Sequence, residues 1–488
     1  MLFLAIVGTR PGISYDSVYY LTAAESLHAT GRLTTPIATH AAVQFAGDGT
    51  LIREHPFVTW PPGFPLALAA GRALGLDIER AVVAVNAVAL IVLVFASLQM
   101  ARTVLPPGRA ALVAMCVGLL PATQSVARMA WSEMLFVAIA AMSLLNVVRW
   151  IAARGVNVRH HWLAAGIWAG VAGLVRYAAP MLFITQSAAA LMYGWRGRTT
   201  PERRRVVAGL LVGPLMAAAW LVVRAVVFQC WPCDTRSADV TNPLRHLKDM
   251  LFAAITVVPV IRAWPGWFDS LASAGVLAAL AAWFARRRQP VRAPAPVFLV
   301  VATFASCYAI VLMIVRTLTY FDQIDARLLS PVVILGSVAG LLFVFQRLRD
   351  GAGGFGAALA IWLALTTLAD SVSPTMRWRT FNDAALRNEP LSRAAQEATD
   401  MRAVFVTDEV PRLTWHTRHP AYWMPSSDLL RRFAASHELV VLLRDVASPG
   451  AEVSAWLNGA ATRTDAGDGY TMWWIAARPQ SARSPDAR

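Results

Sequence analysis

Charge is what this sequence has little of. Only 15% of its 488 residues are Asp, Glu, Lys or Arg, and 57% are hydrophobic, whereas a soluble domain carries about 25% charged residues. A soluble globular class is thereby excluded. Lysine is nearly missing: Lys248 is the single one, so guanidinium supplies almost all of the net charge of +15. The surplus does not point to nucleic acid, because the arginines sit in short loops between apolar runs rather than on one basic face. With four cysteines the chain is no disulfide-stapled scaffold. Cys116 and Cys307 fall inside apolar runs. Cys230 and Cys233 form a CWPC in a loop, where a local disulfide is one option and a zinc site lacks further ligands at suitable spacing. No internal repeat is visible.

What is present is a series of uncharged stretches near the ~20 residues that cross a bilayer, and backbone satisfaction in lipid dictates helices for them. Ala81–Ala101, Ala110–Ala127, Met134–Val148, Trp162–Val175, Tyr177–Trp195, Val206–Val223, Ser270–Ala285, Ala293–Val315, Leu328–Gln346 and Phe355–Ala369 read as spans. Met1–Gly8 is apolar but too short to cross and has no basic leader or cleavage site; it reads as the remainder of a first span, or as a half-embedded helix. The expectation is a polytopic α-helical membrane protein with about eleven transmembrane helices. Residues 10–62 read as an outer loop with short helices, 63–76 as a compact apolar segment after Pro61–Pro62, and Leu244–Ile261 as a surface helix.

Loop charge orients the series. Arg102 and Arg109, Arg149 to Arg159, Arg196 to Arg205, Arg286 to Arg292, and Arg347 with Arg349 occupy alternate loops. That side is expected to be cytoplasmic in the plasma (inner) membrane. From about residue 373 the composition turns polar. Ala403–Thr407, Leu439–Leu443 and Tyr470–Ala477 read as strands, with Asp428–Ala435 and Ala451–Leu457 as helices. The expected domains are therefore a membrane domain at 1–372, a small extracytoplasmic α/β domain at 373–479 and a Ser-, Pro- and Arg-rich disordered tail at 480–488.

Charged residues at the ends of spans are informative, because a membrane bundle keeps them only when paired, wetted or functional. Asp16, Glu133, Arg176 and Arg327 all fall on the outer side under this topology. Guanidiniums hold phosphate by charge-assisted hydrogen bonds, and a carboxylate takes a proton from an incoming hydroxyl. Each residue also has a plainer reading. Asp16 or Ser17 caps a helix starting at Val18, Glu133 complements a helix dipole, and the arginines snorkel.

The ordered motifs weigh toward the functional reading. Asp16 is followed by Tyr20, Ala23–Ala24 and Gly31–Leu33, then WPPGFPLALA at 60–69, WSEMLF at 131–136, GLVRY at 173–177 and ARLLSP at 326–331. This succession resembles the GT-C superfamily of membrane glycosyltransferases, in the style of protein O-mannosyltransferases, the lipid A aminoarabinose transferase and the lipopolysaccharide galacturonosyltransferases. The resemblance implies a polyprenyl-phosphate sugar donor and inversion at the anomeric carbon. It makes Asp16 the catalytic base or acceptor-orienting group and Glu133 a second acid near the acceptor or a metal. Arg176 and Arg327 become the donor-phosphate ligands. Ser17 stands where many relatives carry a second acid, and Trp60 where some carry a lysine, so a divalent metal is left open. Glu54 and His55 are the nearest ligand types, although two residues make no site and a solvated loop accounts for them.

The expected activity is transfer of a sugar from a polyprenyl-phosphate carrier to a lipid or glycan acceptor of the envelope, at the outer face of the membrane. A transporter or flippase for an anionic lipid-linked substrate is the alternative, but such folds tend to show repeats or broken helices near mid-bilayer. A scaffold whose outer domain binds a polymer is a third. The aromatic group Trp415, His416, Tyr422 and Trp423 reads either as a sugar platform or as core.

Overall fold

The computed structural model of the chain describes residues 10–38, 44, 52–152, 158–194, 200–228, 246–248, 250, 296–318, 326–347, 359, 381, 388–397, 404–435, 437–444, 450–467 and 469–476. Two compact units emerge: Met1–Arg10, Trp60–Ala67 and Glu79–Met376 form one, and Pro11–Thr59, Leu68–Ile78 and Arg377–Arg488 the other. The first loop and the C-terminal residues, far apart in sequence, thus belong to one body.

In chain order, α1 (Tyr15–Thr30), β1 (Thr34–Thr35) and β2 (His55–Pro56) come first. There follow α2 (Gly63–Ala73), α3 (Ile78–Arg102), α4 (Pro107–Leu119), α5 (Pro121–Ala127), α6 (Glu133–Ala152), α7 (Val158–Val175), α8 (Pro180–Ala189), α9 (Thr200–Val226), α10 (Pro296–Leu318) and α11 (Ala326–Arg347). Among the described residues five helices are long and apolar enough to cross a membrane: α3, α6, residues 206–226 of α9, α10 and residues 327–346 of α11. Counting α4 and α5 as one bent span makes six. The expected spans Ser270–Ala285 and, except for Leu359, Phe355–Ala369, the surface helix Leu244–Ile261 except for four of its residues, the 480–488 tail and the Cys230–Cys233 pair lie outside the described residues.

Two expectations need correcting. Ala110–Ala127 is not one helix: it bends by 54° between α4 and α5. The cause is Pro121, whose ring pushes the preceding residue out of the helical region, and Leu120 accordingly sits at ψ 136. The stretch beginning at Tyr177 starts its helix only at Pro180, after a tight turn, and ends in a π-helical turn, Ala190–Gly194.

The helical unit is held by close backbone approach and by a few buried polar ties. α3 and α6 run parallel: Asn86 Nδ2 donates to Ala127 O and Met129 O at one end, and Arg149 donates to Gln99 Oε1 at the other. α6 is the most deeply buried of the candidate spans. Against it lies α7, where Gln186 Nε2 from α8 donates to Ser143 Oγ and to Ala165 O at 3.0 and 2.9 Å. α7 and α9 meet along a glycine seam. A Cβ on Gly166 would fall 2.3 Å from the Gly209 carbonyl oxygen, one on Gly170 2.7 Å from Met216, and one on Gly213 2.6 Å from Phe183. Gly166–Gly170 and Gly209–Gly213 are both small-x-x-x-small pairs, the spacing that lets helices in lipid approach closely.

In the other unit, α12 (Pro390–Glu397), β3 (Val404–Thr407), α13 (Val410–Thr417), β4 (Ala421–Trp423), α14 (Ser427–Ala434), β5 (Leu439–Arg444), α15 (Ala451–Ala460), β6 (Arg463–Gly467) and β7 (Tyr470–Ile475) form an α/β fold. The sheet order is β4-β3-β5-β7-β6, parallel across β4, β3 and β5 and antiparallel across β5, β7 and β6. β5 is buried for five successive residues, as expected of a strand covered on both faces.

The glycine seam yields a stability test. Gly166→Val should force α7 from α9 and cost about 1–3 kcal/mol, the usual penalty for overpacking. Gly340→Ala, which meets nothing within 4 Å, should cost nothing. Thermal unfolding of both variants in detergent, followed by size-exclusion recovery, would check the contrast.

Candidate functional site

Three of the four charged residues marked in the sequence meet in the helical unit. Glu133 opens α6, Arg176 follows the last residue of α7, and Arg327 lies in the first turn of α11. Arg327 Nε stands 2.5 Å and Arg176 Nη1 2.6 Å from the same oxygen, Glu133 Oε1. The carboxylate is fully buried, while the arginine side chains keep 16% and 17% of their surface exposed. Glu133 Oε2 is buried with no hydrogen-bond partner among the described residues.

Local structure aims each group. Asn86 pins the segment before α6, and Phe136 N–H donates to Ser132 O at 2.9 Å to close the first turn. Arg176 N–H still completes the helical ladder to Ala172 O at 2.9 Å, and its Nη1 reaches Ser132 Oγ at 3.2 Å. The Arg327 guanidinium lies 4.5 Å over the Trp131 ring, within cation–π range. Two motifs therefore act together: WSEMLF supplies the ring, hydroxyl and carboxylate that seat the arginines of GLVRY and ARLLSP. A third touches the same place. A Cβ on Gly63 of WPPGFP would lie 2.6 Å from Leu174 O, just before Arg176, so only glycine fits there. The buried Tyr308 of α10 lies within electrostatic reach of all three charges.

The triad carries two positive charges and one negative, set at the N-terminal ends of α6 and α11, whose dipoles add positive potential, and at the C-terminal end of α7, whose dipole opposes it. Such a place attracts an anion, and paired guanidiniums suit phosphate oxygens.

Asp16 belongs to the other unit. It is not the helix cap. α1 begins at Tyr15, Ser14 occupies the cap, and Ser14 N–H donates to Ser17 Oγ at 3.0 Å. Ser17 stands where the resemblance leads one to look for a second acid, and it backs the cap. Asp16 sits half-buried in the first turn, and its neighbours are tied on both sides: the Tyr15 hydroxyl donates to Glu409 and Ser17 is fully buried. Glu409, the N-cap residue of α13, is itself buried and ion-paired to Arg444 at 2.6 Å. Burial outweighs that pairing and holds its carboxyl above the usual carboxylate range, while burial and Glu409 together raise the Tyr15 phenol.

Glu54 and His55 do not converge. Glu54 is exposed and accepts from Thr34 Oγ1 at 3.5 Å, whereas His55 is buried, and burial lowers its imidazole below the ordinary value. No group of three or more His, Cys, Asp or Glu that could hold a metal occurs among the described residues. Of the aromatic group in the C-terminal segment, Trp415 and Tyr422 are buried, and Trp415 also lines a cavity. Trp423 Nε1 donates to Ala38 O at 2.9 Å.

No protein-family model and no curated protein matches the sequence. Solved structures do. ArnT from Cupriavidus metallidurans, in the apo state, superposes with a TM-score of 0.61 over 98% of this chain and 97% of that one, at 14% identity. The same values hold for ArnT bound to undecaprenyl phosphate. The chain has the GT-C fold. AglB, an archaeal oligosaccharyltransferase from Archaeoglobus fulgidus in complex with an inhibitory peptide and a dolichol-phosphate, is a further structure of similar fold. It matches at TM-score 0.50 and 12% identity over 89% of this chain and 66% of its own.

Two outcomes follow from these geometries. Removing the buried carboxylate as Glu133→Ala leaves two guanidiniums without their shared partner and should cost about 3–5 kcal/mol, read as a lowered unfolding temperature in detergent. Because Glu409 is raised in the folded state, its contribution is full below the ordinary carboxylate range and lost as pH climbs through its raised value. Glu409→Gln should flatten that decline in a pH series of unfolding temperatures.

Proposed function

We propose that the protein is an inverting glycosyltransferase of the plasma (inner) membrane. It moves a sugar from a polyprenyl-phosphate carrier to a lipid or glycan acceptor of the envelope, at the outer face. The observation that carries this reading is the pair of guanidiniums seated on Glu133, in a fold shared with ArnT, one structure of which holds undecaprenyl phosphate.

The chemistry follows from the groups. An acceptor hydroxyl attacks the anomeric carbon from the face opposite the phosphate. The bond between that carbon and the phosphate oxygen breaks, its electrons leave with the polyprenyl phosphate, and the hydroxyl proton passes to Asp16. Arg176 and Arg327 bind the phosphate and offset the charge it gains, which is electrostatic stabilisation of a leaving group. No general acid is required, unlike the paired carboxylates of glycosidases.

Glu133 takes a different part from the acceptor-side acid suggested by the resemblance. Its burial and the two arginines on one oxygen favour a part in fixing the guanidiniums. No step is assigned to a metal.

Transfer of labelled sugar from an undecaprenyl-phosphate donor by the purified protein tests the proposal. Asp16→Asn should lower kcat by 10²–10⁴-fold, the usual range for a lost general base, with donor KM little changed. Arg327→Ala should raise donor KM and lower kcat together. Retained activity in the Asp16 variant would remove its role as base, and an unchanged donor dependence in the Arg327 variant would remove the phosphate assignment.

A further inference from the structure

The unit that contains α1 and the sheet has a cavity of its own, of about 490 Å³, within the size range of small-molecule sites. Val18 and Leu21 of α1, Ile78 and Trp415 are among its apolar lining residues. Around it stand four charged side chains of alternating sign: Glu25, Arg72, Asp77 and Arg418. Glu25 and Arg72 pair at 3.2 Å, and Arg72 Nη1 also donates to Leu76 O at 2.6 Å, which fixes the guanidinium from behind.

Arg418 is the unusual member. It terminates α13 with φ +60 and ψ 12, the left-handed region, and among the described residues it is the single non-glycine with positive φ. At this position glycine is favoured, and a residue with a Cβ is strained by about 1 kcal/mol. Its guanidinium is laid over the Trp415 ring at 3.8 Å. Backbone strain that holds a charged group over an aromatic face at a cavity wall is a reason to look for a ligand.

The ligand class follows from charge and shape. Two guanidiniums and two carboxylates sum to zero, so the cavity lacks the net positive charge that a phosphate would need. Its lining combines donors and acceptors on Thr22, Glu25, Arg72, Asp77, Thr414 and Arg418 with apolar side chains. That arrangement matches a pyranose, whose rim of hydroxyls surrounds faces of C–H bonds. We propose that this cavity binds an uncharged sugar unit of the acceptor. Glu25 and Asp77 would accept from hydroxyls, and Arg72 and Arg418 donate to them. The assignment to an acceptor rests on the glycosyltransferase reading; the sugar binding itself does not.

The test uses the full-length protein in detergent, with lactose and chitobiose as probes and inorganic phosphate as the anionic control, read by saturation-transfer NMR. Both disaccharides should receive saturation, and phosphate should not compete. Arg418→Gly suits the left-handed backbone better than arginine, so it should unfold at the same or a higher temperature while weakening sugar binding about tenfold, the loss of one charge-assisted contact. Glu25→Gln should weaken it similarly. Absence of saturation transfer, competition by phosphate, or binding unchanged in both variants would overturn the proposal. Binding of undecaprenyl phosphate by wild type and Arg327→Ala, measured in parallel, separates the two readings. Sugar bound without lipid phosphate defeats the transferase reading alone, and the reverse defeats this one alone.

Discussion

One carboxylate oxygen organises the helical unit's charged end. Glu133 Oε1 receives a guanidinium from the end of α7 and another from the start of α11, so three helices converge on a single acceptor. Desolvating a carboxylate costs several kcal/mol even after relaxation, and the cost is recovered only when pairing is close on all members. Here it is close: both distances are at or below 2.6 Å. The arginines keep part of their surface open, and the buried charge is the one that cannot leave. The triad therefore behaves as a fixed base on which two partly exposed cations are mounted.

Close helix approach makes that mounting exact in register. Arg176 is the residue after α7, and its position depends on where α7 ends. Two contacts set it. The seam of Gly166 and Gly170 against Gly209 and Met216 fixes α7 along α9, and Gly63 abuts the carbonyl of Leu174 two residues before the arginine. Any side chain at Gly63 would push on α7 at its last turn. The glycine in WPPGFP is thus as much a part of the site as the arginine it supports, although it carries no chemistry.

Legibility in the sequence divided along physical lines. Long apolar runs gave α3, α6, α10 and α11 within a few residues of their ends, because burial and lipid dictate helix there regardless of fine detail. The Pro121 break was missed although the proline was visible, since hydropathy averages over a kink. In the α/β part, β3, β5 and β7 announced themselves as apolar runs. α13, β4 and β6 did not: each has eight residues or fewer and takes its form from neighbours rather than from its own pattern. Glu133, Arg176 and Arg327 were conspicuous as charges at the ends of apolar spans. Their meeting was not, because it depends on the turn after Val175 and on helix order. Glu409 gave no signal at all, since an acid after a strand is ordinary until a tyrosine from residue 15 is found donating to it.

The chain's near-exclusive use of arginine shows its value when the two charged clusters are set side by side. Around Glu133 the count is two guanidiniums to one carboxylate, which leaves one positive charge in excess. Around the cavity that includes Trp415 it is two to two, so the formal charges there sum to zero. Both clusters lay a guanidinium on an indole, Arg327 on Trp131 and Arg418 on Trp415, an arrangement for which a planar, weakly hydrated cation is better suited than an ammonium. The stacking is common to both; the carboxylate count differs. The same arginine–tryptophan unit thus stands in two charge settings that differ by a single acid.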